Sequence, residues 1–369
     1  MWRVVGHQRA LALFQHALAR GSLGHAYLIT GPAGIGKETF AREIARAAQC
    51  SGPHEGLGTP PCDVCTSCRL ALARTHPDIL YLSLTHPVDE EEVKRVQEGA
   101  QRREISIKDV RRLTALCTLT PRLGALRAII IDRAEHLSEE ASNALLKTLE
   151  EPPSATVFFL LSCNTEALLP TLRSRCGEVR LGLLAPETLV QALQERWGAS
   201  AEEAHLAARL AQGRLGWALR FLGKVSDQDT IHSHPLTQAE REGLLEEFAR
   251  LAGASLRERF AFAQQLAERW RRDRQWVLDT LDLWALWWRD LLYLRLRFPQ
   301  GVVNTDALRF LEALAQTGEG RTFAQGVRCI LTLRMHLEAQ VNPSLALEYA
   351  MLHLPHLVVP AAASTPTGR

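Results

Sequence analysis

The chain has 369 residues, of which 43 are Lys or Arg and 41 are Asp or Glu, so its formal net charge is +2. This length predicts two or three domains. The balance of charge excludes a histone-like coating of nucleic acid but allows a local basic surface. With 46% apolar and 23% charged residues, the chain has enough apolar material to fold. It contains no apolar run of about eighteen residues and no basic-then-apolar start, so we expect a soluble, cytoplasmic protein.

Short apolar segments alternate with helical stretches over residues 1–182, which is the pattern of a parallel β-sheet covered by helices. Five segments are predicted to be strands because each is short and mostly apolar, as a strand buried on both faces should be. They are residues 25–30, 78–82, 127–132, 156–161 and 177–181. The sequence therefore predicts an α/β domain with a five-stranded parallel sheet.

The strand pattern stops near residue 183, and the rest of the chain has helical periodicity. Residues 186–223 are predicted to form three short helices, with Gly213 and Gly216 as breaks. A polar stretch over 226–235 has the composition of a linker or hinge. We therefore expect a small helical domain at 183–225, an all-helical domain at 226–357 and a disordered tail at 358–369.

Five of the eight tryptophans lie between residues 270 and 288. An apolar stripe with helical spacing runs through this segment and consists of Val277, Leu281, Trp284, Trp288 and Leu291. Such a stripe could stack nucleic-acid bases, but apolar residues at this spacing are more typical of a core between helices. We therefore expect these side chains to be buried.

A glycine-rich loop follows the first predicted strand and precedes a helical segment that starts near Lys37. It reads Gly31-Pro-Ala-Gly34-Ile-Gly36-Lys37. Strand, loop and helix in this order are the context of a phosphate-binding P-loop. The glycines let backbone N–H groups surround phosphates, the helix N-terminus favours negative charge, and Lys37 is placed to reach the terminal phosphates. The sequence thus predicts a P-loop fold.

The residues that hydrolysis requires are altered at two places. Glu38 stands where a Ser or Thr hydroxyl would ligate Mg²⁺, and Thr39 projects about 100° further round the helix. Asp132 ends the third predicted strand, where a carboxylate holds water on Mg²⁺. The next residue is Arg133, which cannot accept a proton as the usual Glu does. Glu135 is predicted to lie on the following helix. We therefore expect the site to be poor or inactive in hydrolysis.

Four of the eight cysteines fall within nineteen residues. They are Cys50, Cys62, Cys65 and Cys68, in a segment rich in turn formers. Four thiolates on short turns can surround one tetrahedral Zn²⁺, and a closed four-Cys site is structural rather than catalytic. Four unrelated free thiols are the alternative. His54 is a weaker candidate ligand because its spacing fits no four-ligand pattern better than Cys50 does. We expect a zinc module at 50–68 whose ordering depends on the metal.

Further motifs lie ahead of the P-loop, at the second strand, after the third strand and near the C-terminus. They are residues 25–28 (His-Ala-Tyr-Leu), 76–78 (His-Pro-Asp), 144–153, 174–176 (Ser-Arg-Cys) and 342–348. Together they resemble the bacterial clamp-loader AAA+ proteins over nearly the whole chain. The resemblance implies an AAA+ P-loop domain at 1–182, a helical lid at 183–225 and a helical collar at 226–357. It also implies the zinc module, and a role in loading the ring-shaped sliding clamp onto primed DNA within the DNA polymerase III holoenzyme.

Departures from the family pattern indicate which kind of subunit the chain resembles. The motor subunits, gamma and tau, keep the P-loop hydroxyl, the Asp-Glu pair and a lid arginine called sensor 2, whose aligned position here is Gly216. Three losses imply a rigid, non-hydrolysing subunit. Its implied partners are the gamma/tau motor subunits, the delta subunit, the sliding clamp and, through the assembly, primed DNA. The alternative is an active motor ATPase in which Glu38, Thr39 and Glu135 substitute in unusual ways.

Two positions of the family pattern survive. Arg175 matches the arginine that reaches the ATP of the neighbouring subunit, where a guanidinium stabilises charge on the transferring phosphoryl group. Arg173 is the residue most easily confused with it, and Asn164 matches the polar position called sensor 1. Because the P-loop glycines and lysine are intact, bound ATP or ADP stays open. Its candidate contacts are Gly31, Gly34, Gly36, Lys37, Thr39, Asp132 and Asn164.

A basic segment follows Ser106, which is placed to cap a helix. This helix carries Lys108, Arg111 and Arg112, and the resemblance implies that the corresponding helix of clamp loaders faces DNA phosphates. Phosphate contacts of this kind carry no base specificity. A solvated charged helix face would explain the same residues equally well, so the sequence leaves both interpretations open.

Overall fold

The computed structural model describes residues 2–52, 61–97, 102–224, 238–339 and 341–358. His54, the predicted linker at 226–235 and residues 359–369 of the predicted tail lie outside the described residues. The chain divides into two compact units, one formed by residues 1–188 and 213–215, the other by residues 189–212 and 216–369. The finer boundaries predicted for a lid and a collar stay a prediction.

The first unit is built on a parallel β-sheet. Its strands are β1 (Ala26–Thr30), β2 (Ile79–Leu82), β3 (Arg127–Ile131), β4 (Thr156–Ser162) and β5 (Gly177–Arg180). They pair in the order β2-β3-β4-β1-β5, and every pairing is parallel. The prediction of a five-stranded parallel sheet is confirmed, with each strand end within one residue of its predicted place.

Helices cover both faces of this sheet. The helices of the first unit are α1 (Gln8–Ala19), α2 (Lys37–Ala48), α3 (Thr66–Leu72), α4 (Glu90–Gln97), α5 (Ile107–Cys117), α6 (Glu139–Glu150) and α7 (Pro170–Arg173). Ile129 and Ile131 of β3 belong to the core that includes α5 and α6, whereas Ala128 and Ile130 belong to the core that includes α1 and α2. Since successive strand residues point to opposite faces, a strand between two helical layers must be apolar throughout.

The second unit is helical in its described residues. The helices from residue 186 onwards are α8 (Pro186–Trp197), α9 (Ala201–Ala211), α10 (Leu215–Phe221), α11 (Gln238–Gly253), α12 (Leu256–Arg272), α13 (Arg274–Arg295), α14 (Leu308–Ala315), α15 (Gly320–Glu338) and α16 (Pro343–His353). None of the described helices is long and apolar enough to cross a membrane.

The two glycines predicted to break the short helices behave differently. Gly213 does separate α9 from α10, with a φ of 85°. A Cβ at this position would lie 2.7 Å from the Cβ of Leu183, so a side chain is excluded. The break predicted at Gly216 is wrong, because Gly216 lies in the first turn of α10. Glycine lowers helix propensity by only about 1 kcal/mol, and packing of Trp217 and Phe221 on the same helix offsets that cost.

The tryptophan-rich segment forms the centre of the second unit. Trp284, Trp287 and Trp288 on α13 are fully buried, and the ring of Phe248 lies 5.2–6.4 Å from each of theirs. Val277, Leu281 and Leu291 of the predicted stripe are buried as well. The prediction of a core between helices is confirmed, and rings buried in this way have no free face on which a base could stack.

Close packing around Trp288 depends on the absence of a side chain at Gly326 in α15. A Cβ there would lie 2.2 Å from Cδ2 of Trp288. We expect Gly326→Ala to lower the free energy of unfolding by about 1–3 kcal/mol, as overpacking of a core does. Urea unfolding followed by tryptophan fluorescence measures this, because Trp2 alone of the eight tryptophans lies in the first unit.

Gly243→Ala in α11 is the matched control. A Cβ at Gly243 has nothing within 4 Å, so the substitution should be neutral or should stabilise the helix by up to about 1 kcal/mol. Equal unfolding midpoints for the two variants would contradict the close packing of α13 against α15.

Candidate functional site

The P-loop leaves the carboxyl end of β1 and enters α2, as predicted. Gly31 has a φ of 152°, and a Cβ there would lie 2.4 Å from the carbonyl oxygen of Leu181. Gly36 caps α2 with a φ of 101°, in the left-handed region that favours glycine. Both positions therefore require glycine for the loop to turn this tightly beside β5.

Lys37 is held inside the loop by its own chain. The side chain is buried, and its Nζ donates hydrogen bonds to the carbonyl oxygens of Gly31 (2.7 Å) and Pro32 (3.0 Å). A third contact joins Nζ to Sγ of Cys163, at 3.0 Å, in the loop after β4. The oxygens of a bound phosphate could replace these acceptors, so that the ammonium group would keep its hydrogen bonds.

Glu38, at the position of the magnesium-binding hydroxyl, is an ion-pair partner. Its carboxylate lies 2.6 Å from Nε of Arg42 and 3.6 Å from a guanidinium nitrogen of Arg74. Arg42 is one turn further along α2, and Arg74 follows α3. The carboxylate that replaces the hydroxyl is therefore compensated by two cations of the same chain. Thr39 is exposed, which agrees with its predicted direction away from the loop.

Asp132, the second expected magnesium ligand, is joined to the same group of side chains. The hydroxyl of Tyr81 donates to Oδ2 of Asp132 at 3.3 Å, and the guanidinium of Arg42 lies 4.4 Å from the centre of the Tyr81 ring. Burial raises the pKa of Asp132, and the nearby Glu38 carboxylate acts in the same direction. Glu38, Arg42, Tyr81 and Asp132 thus form a continuous polar chain from α2 to the end of β3.

The residues after Asp132 differ in part from their prediction. Arg133 is exposed and has a φ of 52°. Glu135 does not lie on the following helix, as predicted, but in a short 3₁₀ turn (Ala134–His136) before α6. Its Oε1 accepts a hydrogen bond from the backbone N–H of Cys163 at 3.2 Å. The turn forms because Arg133 adopts the left-handed conformation, which ends the strand and delays the start of α6.

Asn164 and Arg175 lie at the ends of other elements. Oδ1 of Asn164 accepts from the backbone N–H of Glu166 at 3.1 Å, so this side chain caps a local turn. Arg175 follows α7 and is partly exposed, with 34% of its side-chain surface accessible. Its guanidinium pairs with Glu150 at the end of α6 and donates to the carbonyl oxygen of Thr171 at 3.0 Å. Arg173, the neighbour that could be confused with it, is exposed.

The four clustered cysteines meet at one point. Their Sγ atoms all lie within 4.8 Å of one another, and those of Cys62 and Cys68 are 4.0 Å apart. Thiolates around one tetrahedral zinc with Zn–S bonds of about 2.3 Å would be about 3.8 Å apart. Backbone N–H groups of Cys62, Cys65 and Cys68 each donate to the sulfur of another cluster residue, at 3.3–3.4 Å. The geometry and the donor set both fit a four-thiolate metal site.

The cluster favours thiolate at two of its members. Hydrogen bonds from the backbone of Cys65 and Val64 lower the pKa of Cys62. Burial opposes ionisation of Cys65, but hydrogen bonds from the backbone of Cys68 and from Ser51 outweigh it and lower the pKa of Cys65 to about 6. Burial raises the pKa of Cys68, whose thiol lies among the other three. A divalent cation would relieve this crowding because it stabilises all four sulfurs as thiolates.

An ion pair between a buried arginine and a partly exposed aspartate attaches the cysteine loop to the P-loop helix. Arg46 of α2 is fully buried; its guanidinium lies 2.7 Å from Glu43 and also pairs with Asp63 of the loop. From the other end of α3, Arg74 reaches Glu38. The cysteine module is therefore attached to α2 on both sides, so its order and that of the P-loop helix are linked.

The predicted basic helix is present as α5, capped by Ser106, whose Oγ accepts from the backbone N–H of Asp109 at 3.3 Å. Two of its three candidate cations have partners in the acidic helix α4. Nζ of Lys108 lies 2.7 Å from Glu91, and the guanidinium of Arg112 lies 3.3 Å from Glu90. Arg111 is exposed, and none of the ion pairs in the described part of the chain includes it.

Sequence reasoning missed the partners of nearly every candidate residue. Glu38 and Arg42 are four residues apart on one helix, a spacing that predicts an ion pair. No comparable signal links Lys37 to Cys163, Tyr81 to Asp132 or Arg175 to Glu150, because these residues are brought together only by the sheet and its loops.

The order of the sheet and the P-loop at the carboxyl end of β1 define an AAA+ P-loop domain. Comparison with known proteins shows which proteins of this class the chain resembles. A family model described as DNA polymerase III, delta subunit, matches residues 6–184. Over 165 residues the chain is 37% identical to the delta′ subunit of DNA polymerase III from Pseudomonas aeruginosa. This aligned region covers 45% of each chain. Over 221 residues it is 31% identical to the tau subunit from Escherichia coli, which covers 58% of this chain and 31% of the relative.

Residues 6–184 are thus similar to the delta′ and gamma/tau subunits of DNA polymerase III, and the resemblance seen in the sequence motifs is confirmed. The chain spans less than half the length of the two relatives named above. A crystal structure of a DNA polymerase III gamma subunit-related protein from Thermotoga maritima aligns with a TM-score of 0.46 and 18% identity, over 93% of this chain and 98% of that chain.

The zinc content of the purified protein tests the cysteine cluster as a metal site. We expect protein purified without chelator to carry about one equivalent of zinc, and Cys62→Ser to carry less than half, because a hydroxyl is a poor replacement for a thiolate ligand. Zinc content per chain by atomic emission measures this.

Chelation should increase protease cleavage between residues 51 and 67 without loss of helical circular dichroism.

Cys163→Ser is the control for this assay, because Cys163 lies outside the cluster and should leave the zinc content unchanged. Unaltered protein with less than half an equivalent of zinc would rule out the assignment.

Proposed function

We propose that this chain is a non-hydrolysing clamp-loader subunit of the delta′ type. In this proposal it presents Arg175 to the ATP of a neighbouring gamma/tau motor subunit while the sliding clamp is loaded onto primed DNA. The observation that carries the proposal is the ion pairing of Glu38, which fills its own magnesium-ligand position with a carboxylate bound to Arg42 and Arg74. The similarity of residues 6–184 to this family supports it.

Its own P-loop is poorly suited to hydrolysis for electrostatic reasons. Magnesium in such sites is held by a hydroxyl and a carboxylate and bridges the phosphates. Here the first position is a carboxylate that repels phosphate, and the second, Asp132, is bonded to Tyr81. The base position holds Arg133, which has no acceptor. Binding of ATP or ADP through Lys37 and the loop N–H groups stays a separate question. In this proposal a nucleotide bound there is not hydrolysed and is not needed for turnover at the neighbouring site.

Arg175 has the properties that a trans-acting arginine needs. Its guanidinium is partly exposed, and its partner Glu150 is half exposed. Ion pairs at such exposure contribute about 0–1 kcal/mol, so a polyphosphate with several charges can displace Glu150. The bond to the carbonyl oxygen of Thr171 orients the guanidinium in the meantime. A positioned arginine of this kind neutralises charge that develops on the transferring phosphoryl group.

The cysteine cluster is proposed to hold one structural zinc. The residues Cys50, Cys62, Cys65 and Cys68 supply a complete tetrahedral set, so no position is left for a substrate. The loop has too few apolar residues to fold alone, so the bound metal would supply its order. The chain's contribution is to hold the four sulfurs close together and to attach them to α2 through Arg46.

Partners and location follow from the same proposal. The chain would assemble with gamma/tau motor subunits and the delta subunit, and contact the sliding clamp and primed DNA within a cytoplasmic, nucleoid-associated replisome. We propose that the exposed face of α5, with Lys108, Arg111 and Arg112, faces DNA phosphates without base specificity. The exposure of all three side chains supports this assignment.

The alternative is an active motor ATPase, and one observation favours it. Oε2 of Glu135 is buried and has no hydrogen-bond partner in the described part of the chain, while Oε1 is bonded to the backbone of Cys163 beside Lys37. A free carboxylate oxygen near the P-loop could orient a water. The absence of a hydroxyl at the magnesium position argues against this alternative.

A reconstituted loader separates the two functions. ATP turnover stimulated by clamp and primed DNA should fall sharply with Arg175→Ala in this chain and stay unchanged with Lys37→Ala. The neighbouring site served by Arg175 should lose about 10³-fold or more of its rate, so turnover drops by the whole contribution of that site. Assembly of each variant is checked by size-exclusion chromatography before turnover is measured.

Arg173→Ala is the matched control, because it removes an exposed arginine two residues away and should leave turnover intact. If Lys37→Ala is the damaging change and Arg175→Ala has no effect, the chain is a motor or must bind nucleotide to work, and the proposal fails.

A further inference from the structure

The acidic helix α4 lies against the basic face of α5. It begins with Glu90, Glu91 and Glu92. The first two point their carboxylates at cations of α5: Glu91 lies 2.7 Å from Lys108, and Glu90 lies 3.3 Å from Arg112. The paired cations are one helical turn apart on α5, so two neighbouring positions on that face are neutralised by the same chain.

Buried contacts hold α4 in place independently of these two surface pairs. Oδ1 of the fully buried Asp109 accepts from the backbone N–H groups of Val88 (2.9 Å) and Asp89 (3.1 Å) at the start of α4. Arg102, whose side chain is only 6% exposed, lies 3.2 Å from Glu92 and also pairs with Asp109. These buried contacts therefore hold Glu90 and Glu91 beside α5 even when the ion pairs of these two residues are broken.

The charged groups of the two surface pairs remain accessible. Lys108 and Arg112 keep 54% and 49% of their side-chain surface, and Glu91 and Glu90 keep 69% and 82%. A carboxylate offers a cation the same kind of negatively charged oxygen acceptors as a phosphate does. Exposed pairs of this kind are weak and are screened by salt, so a DNA backbone can replace the carboxylates by side-chain rotation alone.

We propose that α4 is an internal mimic of a phosphate backbone, which occupies Lys108 and Arg112 and thereby weakens binding of duplex DNA to α5. This inference rests on the DNA-facing role proposed above for α5. With α4 intact, DNA contacts Arg111 but must compete for the other two cations, and Glu90 and Glu91 also repel the approaching phosphates. Outside the assembled loader, the chain then has little affinity for DNA.

The test is equilibrium binding of the full chain to a short fluorescent DNA duplex, followed by anisotropy at KCl concentrations between about 50 and 200 mM. Glu90→Gln with Glu91→Gln frees two cations and leaves the buried anchors of α4 intact. This double variant should bind about tenfold more tightly at the lowest salt. The slope of log K against log salt should become steeper by about 1–2, since each additional phosphate contact contributes about 0.9.

The control for net charge is Glu139→Gln with Glu140→Gln. These two residues are exposed in the first turn of α6, in the same unit, and make no ion pair in the described part of the chain. The control removes the same number of charges and should leave the salt slope unchanged. Lys108→Gln with Arg112→Gln should hardly affect the parent chain, but should reverse the gain in the Glu90→Gln, Glu91→Gln background.

Two outcomes would overturn the inference. The first is that the α4 variant and the α6 control change affinity and slope alike, which reduces the effect to net charge. The second is that Lys108→Gln with Arg112→Gln weakens DNA binding by the parent chain as much as it weakens DNA binding in the Glu90→Gln, Glu91→Gln background. That result would mean that α4 does not keep these cations from DNA. If no variant binds DNA even at the lowest salt, the DNA-facing role of α5 fails too, while the turnover test of Arg175 is unaffected.

Discussion

Parallel pairing of β1 with both β4 and β5 determines where the candidate residues of the first unit lie. Thr30, the last residue of β1, is level with Ser162 of β4 and Arg180 of β5. The loop that begins at Gly31 therefore emerges beside Cys163, which is why Lys37 can reach its sulfur. Strand β4 is buried on both faces, so a slip of one residue would exchange its side chains between the two cores. Close packing of both cores thus fixes the register, and the register fixes the site.

The P-loop combines an intact glycine loop with a carboxylate at the position where a hydroxyl is expected. The loop has its glycines and its helix cap because the tight turn beside Leu181 requires them whether or not a nucleotide is hydrolysed. Lys37 is present as well and donates hydrogen bonds to the loop carbonyl oxygens. At Glu38 a carboxylate replaces a hydroxyl, and two arginines compensate its charge. One of them, Arg74, follows the helix that carries Cys68, so the cysteine module and the altered metal position are parts of one connected structure.

Several cations of the first unit are paired in two distinct ways. Arg46 is fully buried and bound to Glu43 and Asp63, where removal of one partner would leave an uncompensated charge in the core. Arg175, Lys108 and Arg112 pair at the surface, where water screens the charges and exchange costs little. The first kind of pair holds the fold together, whereas the second kind can be broken at little cost, as the roles proposed for Arg175 and α5 require.

Local patterns in the sequence determined the five strands, the P-loop, the cap at Ser106, the clustered cysteines and the buried tryptophan stripe, because each depends on residues close together in the chain. The errors were local too: the sequence placed a break at Gly216 and a helix at Glu135. Only the tertiary structure decided which charges meet. The pairs of Lys37 with Cys163, Tyr81 with Asp132, Arg175 with Glu150 and Lys108 with Glu91 join separate elements. Their side chains have no periodic signature, since packing of the sheet and helices brings them together.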